Sequence, residues 1–237
     1  MEQVKILTSR RAYEFRIDDI RLSMLSTKPV QEQIQHHFHF QNAAMGVPIA
    51  TFGDVPSTYP PGVVFDMGVW PTAEQQLIPI RFLHFDQRRI VIDVAGPSSA
   101  IDEIYRDLQN FLSSLQTSDG YPVIGEPENV LDYSEFTVRF SCDISTLLPP
   151  SVKQVFSRYV RETSIYRDKI AIPLLCIAPL GTMEKFGGAT PGDYRTFTLT
   201  LRAGTRLEDA VFFSGAPLSS EKHREYIADL ATVLENQ

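Results

Sequence analysis

Cysteine is scarce, with only Cys142 and Cys176 in 237 residues. A disulfide-built scaffold is therefore excluded, and the two thiols are expected to be reduced and buried. Long hydrophobic runs are missing too. The most apolar stretch, "IAIPLLCIAPLG" at 170–181, is too short to cross a bilayer and is broken by Pro173 and Pro179. The opening "MEQVKILTSRR" lacks the basic-then-apolar layout of a signal peptide. A reducing cytoplasm, away from any membrane, is the expected location. Positive charge is in deficit: 22 Lys and Arg face 29 Asp and Glu, for a net charge of −7 and a pI near 5.3. The densest basic clusters are Arg10–Arg11 and Arg88–Arg89. Neither amounts to a patch, so no nucleic-acid partner is expected.

Catalytic signatures are also lacking. No G-x-S-x-G elbow appears. The only Gly-rich loop, "KFGGATPGDY" at 185–194, departs from the phosphate-loop pattern and leads into a strand. Cys142 and Cys176 have no histidine beside them in sequence. No catalytic residue, metal or cofactor is assigned, and the balance leans away from an enzyme.

What is present is an ordinary globular composition, 43% hydrophobic and 22% charged. Three segments carry helical periodicity. "SSAIDEIYRDLQNFLSSL", 98–115, aligns Ile101, Ile104, Tyr105, Leu108, Phe111, Leu112 and Leu115 on one face, with Ser99 as its cap and Asp102 as box partner. The segment 219–235 repeats the stripe with Tyr226, Ile227, Leu230, Val233 and Leu234, capped by Ser219 or Ser220. "PPSVKQVFSRYVRET" opens on Pro150, which suits a first helical turn. Most of the remainder alternates as strand. "EQQLIPIRFLHFDQRRIVIDVAG" predicts a hairpin turning near 86–88, and "DYRTFTLTLRAGTRLEDAVFFSG" another with a longer turn.

Both hairpins run into Gly or Pro, paired serines and a helix. The helices share Glu103 with Glu225, Asp107 with Asp229 and Leu108 with Leu230. The expected fold is α+β in two similar halves, 1–118 and 119–237, joined by "QTSDGYPVIGEPENV". Each half is a mainly antiparallel sheet with a long amphipathic helix across one face.

Three of the five histidines lie in "QEQIQHHFHFQNA", 31–43. As a strand, this segment would point Ile34, His36, Phe38 and Phe40 into the core. His37 and His39 would then share the polar face with Gln33, Gln35 and Gln41. Two imidazoles there are close enough to share a metal, but a site needs more ligands. The next candidates, Asp66, Glu74 and His84, sit on other predicted strands, so the polar face is read as solvated. His36 and His84 are expected to be core histidines, and His223 to line the inner stripe of the last helix or its margin. The loops "FGDVPSTYPPG" and "KFGGATPGDY" bring Phe52, Tyr59, Phe186 and Tyr194 as contact anchors.

Two functions fit. The first is a non-catalytic protein-binding or adaptor module with a protein partner or a second copy as its occupant. The second is a small-ligand receptor or enzyme whose pocket uses His37, His39, Asp66 and Trp70.

Overall fold

The structure, a computed structural model, describes residues 3–46, 62–72, 75–115, 120–141, 144–163, 174–177, 196–205 and 209–236. In chain order the elements are β1 Gln3–Glu14, α1 Leu22–Leu25, α2 Lys28–His37, β2 Asn42–Gly46, β3 Gly62–Pro71, β4 Leu77–Phe85, β5 Arg89–Val94 and α3 Ser98–Ser114. There follow β6 Asn129–Arg139, a 3-10 turn Ile144–Leu147, α4 Pro150–Thr163, β7 Leu174–Ile177, β8 Phe197–Leu201, β9 Val211–Ala216 and α5 Ser220–Glu235.

The named strands form one antiparallel sheet of nine, ordered β2-β3-β4-β5-β1-β6-β9-β8-β7. The hairpins read from the sequence are present as β4–β5 and β8–β9. Strand β1 lies at the centre. It pairs with β5 on one side and with β6 on the other, and Ser9 sits directly opposite Ser134. An irregularity between Ile6 and Thr8 shifts the register of β1 against β6. One extra residue in a strand reverses its facing. Val4 and Ile6 before it, and Ser9 and Tyr13 after it, therefore all face the helices.

The long helices lie on one face of the sheet. Tyr105 of α3 stacks on Tyr13 of β1, with ring centroids 3.6 Å apart. His223 of α5 reaches Ser134 of β6. In α3, Ile101, Ile104, Leu108 and Leu112 are buried at i, i+3, i+7 and i+11 spacing, each stabilising the fold by roughly 2 kcal/mol. They join Val30 and Ile34 of α2 and Phe65, Phe85, Ile90 and Ile92 of the sheet in one core. A second core gathers Phe136, Val138, Leu199, Phe212, Ile227 and Leu234. Gly62 sits where the β3–β4 backbones approach closely: a Cβ there would lie 1.8 Å from the Phe85 carbonyl oxygen.

Four expectations are corrected. Residues 31–37 are helical, the second part of α2. Pro29 occupies the first turn, and Val30, Ile34 and Phe38 repeat every fourth residue into the core. The apparent alternation of 34, 36, 38 and 40 shares Ile34 and Phe38 with that helical stripe, which is why it misled. His36 accordingly points out to solvent. Cys176, on the short strand β7, is an exposed free thiol and not a buried one; Cys142 lies outside the described residues.

The fourth correction concerns the cap of α3. Pro97 holds the N-cap position, with no side-chain cap. The free donor at Ser98 is met from the first turn of α5. Ser98 N–H donates to Ser220 Oγ at 2.8 Å, and Ser220 N–H donates to Ser98 Oγ at 2.8 Å. Each helix thus satisfies the other's first turn. Ser219 caps α5 as expected. Replacing Ser98 or Ser220 by alanine leaves a buried N–H unpaired and is expected to cost about 1–2 kcal/mol. Urea unfolding should remain one transition, moved to lower urea in both variants. Separate transitions for the two ends of the chain would show that this contact does not couple them.

Candidate functional site

The corner where α2 meets β3 holds the described site residues expected from the sequence. His37 Nε2 lies 2.6 Å from Asp107 Oδ2 on α3. Its ring sits against Phe111 and Phe38, with centroids 4.7 Å away in each case. His39 follows the helix with a φ of 53° and is exposed. Asp66 on β3 accepts a 2.6 Å hydrogen bond from Asn42 Nδ2. Trp70 packs on Phe38, and its buried Nε1 has no hydrogen-bond partner among the described residues. Phe52, Tyr59, Phe186 and Tyr194 lie outside the described residues.

The four described residues share a neighbourhood but not a focus. His37 turns to α3, Asp66 to β2, Trp70 inward and His39 outward. The flat imidazole-bearing strand face does not exist, because His37 belongs to a helix and His39 to the turn after it. In its place is an open groove of about 400 Å3 lined by Pro29, Glu32, Gln33, His36, His37 and Phe111. Among the described residues no three His, Cys, Asp or Glu side chains are gathered to hold a metal ion.

The polar groups with the most distinctive environments are buried elsewhere. His223, fully buried on α5, is held at both ring nitrogens: Nδ1 is 2.8 Å from Ser134 Oγ and Nε2 is 2.8 Å from Ser214 Oγ. A neutral ring fits, since one nitrogen donates and the other accepts. Burial pushes its pKa down to about 4. His84 is also driven down to about 4, by burial first, with Asp86 opposing and Arg89 assisting. Among the described residues its Nε2 has no hydrogen-bond partner.

On the outer face of the sheet, away from the long helices, Arg10 and Asp93 form a buried pair. Arg10 Nε and Nη2 each lie 2.8 Å from Asp93 Oδ2, and Thr8 Oγ1 donates to Oδ1 at 2.7 Å. The Arg10 guanidinium lies 5.5 Å from the Phe82 ring centre and 5.8 Å from that of Tyr133. His84 is buried as expected, and His223 lies on the inner side of its helix, but the serine partners of His223, 89 and 9 residues away, have no signal in the sequence. Arg10 stood out only as half of a basic doublet.

Two surfaces in the second part of the chain are open. On α5, Tyr226 and Val233 face outward seven residues apart, 59% and 50% exposed, while Leu230 between them is partly buried against the second core. On the outer sheet face, pairing aligns Lys5, Thr137, Phe213 and Thr200 in a row across β1, β6, β9 and β8. Phe213 is 39% exposed there, and the Arg202 guanidinium lies 5.9 Å from its ring centre. No helix of the described residues is long and apolar enough to cross a membrane. No known protein-family model matches the chain, and no curated protein matches it.

Proposed function

We propose that this chain is a non-catalytic, protein-binding module of adaptor type, built from two related halves, with its docking surface on the second. Several features support the relatedness. The order β3-β4-β5-β1 is matched by β7-β8-β9-β6 read from the opposite edge. Ser9 pairs with Val94 in one half as Ser134 pairs with Ala216 in the other. Ser98 and Ser220, which exchange hydrogen bonds, lie 122 residues apart, the same separation as Glu103 from Glu225 and Asp107 from Asp229.

The observation that carries the binding reading is a difference between α3 and α5. On α3 the positions 122 residues before Tyr226, Leu230 and Val233 are Ile104, Leu108 and Phe111. Ile104 and Leu108 are buried, and Phe111 lies against His37 of α2. The same three places on α5 keep apolar side chains, yet Tyr226 and Val233 face solvent and only Leu230 packs, in part, on the second core. Helix α4 holds the chain position that α2 holds in the first half, and its Val155 is itself exposed. Large apolar groups left outward on a helix in this pattern suit an amphipathic helix of a partner, in the role that α2 plays on α3.

The test is a photo-crosslinking side chain at Tyr226, with one at exposed Arg106 of α3 as control. A discrete adduct is expected at 226 alone. The protein so captured, purified, should bind the intact chain at 1:1 and lose about tenfold or more in affinity to Tyr226→Asp, a cost near 1.4 kcal/mol. Indifference of that partner to Tyr226→Asp overturns the reading. So does native mass spectrometry showing a stoichiometric small molecule and no partner.

A further inference from the structure

We propose a second docking surface, on the outer face of the sheet around Phe213, that takes an acidic protein segment carrying an aromatic or aliphatic anchor. The inference starts from a contrast between equivalent rows. In the first half, Ala12, Val91 and His84 stand side by side across β1, β5 and β4. All three are buried, Val91 to 5%. The corresponding row in the second half is Thr137, Phe213 and Thr200. Phe213 lies 122 residues after Val91, and it is exposed. A closed row in one half is thus an open row in the other, with hydroxyls on either side of a phenyl ring.

The charges around that ring select the occupant. Lys5 continues the row beyond Thr137, and Arg202 sits beside Phe213 at the end of β8. Both are exposed, and among the described residues neither has an ion-pair partner. Arg139, on the same face, donates through Nε to the Asp209 carbonyl at 3.3 Å. Two cations three strand spacings apart, roughly 14 Å, with an aromatic between them match carboxylates flanking an apolar side chain. An extended nucleic acid fits less well. It calls for many phosphate contacts along a track, whereas this chain has a net charge of −7 and Glu135 stands on the same face. Hydroxyls of Thr137 and Thr200 supply hydrogen bonds along the row without adding charge.

This surface is separate from the α5 stripe, so the two readings fail separately. The probe is a fluorescent random Glu–Tyr copolymer, titrated into the intact chain. A Lys–Tyr copolymer and oligothymidylate serve as comparisons. Binding of the Glu–Tyr copolymer alone is expected, weakening as salt rises. Phe213→Ser and the double variant Lys5→Glu/Arg202→Glu should each weaken it about tenfold or more. Tyr226→Asp should leave it unchanged, whatever becomes of the helix-binding reading. All these positions are exposed, and a circular-dichroism melt matching the parent verifies the fold. Equal binding of the Lys–Tyr copolymer, stronger binding of oligothymidylate, or no effect of the charge reversal overturns the proposal.

Discussion

Replacing Asp93 by alanine is expected to cost about 3–5 kcal/mol of folding stability, a large share of what a domain has. The carboxylate is fully buried and takes two contacts from Arg10 and one from Thr8. Removing it takes from the buried Arg10 guanidinium the carboxylate that it contacts twice, and from Arg81 Nη1 an oxygen at 3.7 Å. The pair itself contributes less than this figure, because desolvating two charges offsets much of their attraction. The double change Arg10→Met with Asp93→Leu should therefore be much milder than Asp93→Ala alone. Urea unfolding followed by circular dichroism measures both. A loss under about 1 kcal/mol for Asp93→Ala would mean that water reaches the pair and screens it.

The second large effect is acid lability centred on His223. A histidine ordinarily titrates near 6.5, and burial holds this one neutral down to about 4. Above 6.5 both folded and unfolded chains carry a neutral ring, so the group adds no pH dependence. As pH falls from 6.5 to 4 the unfolded chain takes up the proton first. Stability is lost across that window, by about 3 kcal/mol for this residue, and then levels off. His84 moves in the same direction and steepens the loss. His223→Leu should lower stability at pH 7, by stranding the Ser134 and Ser214 hydroxyls, yet flatten the curve between 6.5 and 4. Equilibrium unfolding at a series of pH values reads both effects. An unchanged slope in His223→Leu would place the acid sensitivity elsewhere.

The sequence disclosed elements more readily than encounters. The stripe in 98–115, the cap at Ser219 and the two hairpins follow from spacing and turn chemistry, and α3, α5, β4–β5 and β8–β9 match them. Segment 31–43 failed because a period of two and a period of four both select Ile34 and Phe38. Pro29, one residue inside the helix, was the signal that separates them. The joining of β1 to β6 could not be read from periodicity. It depends on which edges meet across more than a hundred residues. Of the candidate site, spacing placed Asp66 and Trp70 on their strand without saying where each would turn, and put His37 on a strand where the chain is helical. The exposure of Phe213 and Tyr226 was equally hidden, since the same letters alternate in covered and open strands and helices.

The most direct measurement is hydrogen exchange on the intact chain, free and saturated with the partner captured through residue 226. Protection confined to 220–235, with 28–37, 98–114 and 211–216 unchanged, is the predicted pattern. Protection centred on the α2–α3 groove instead would contradict the assignment of docking to the second half.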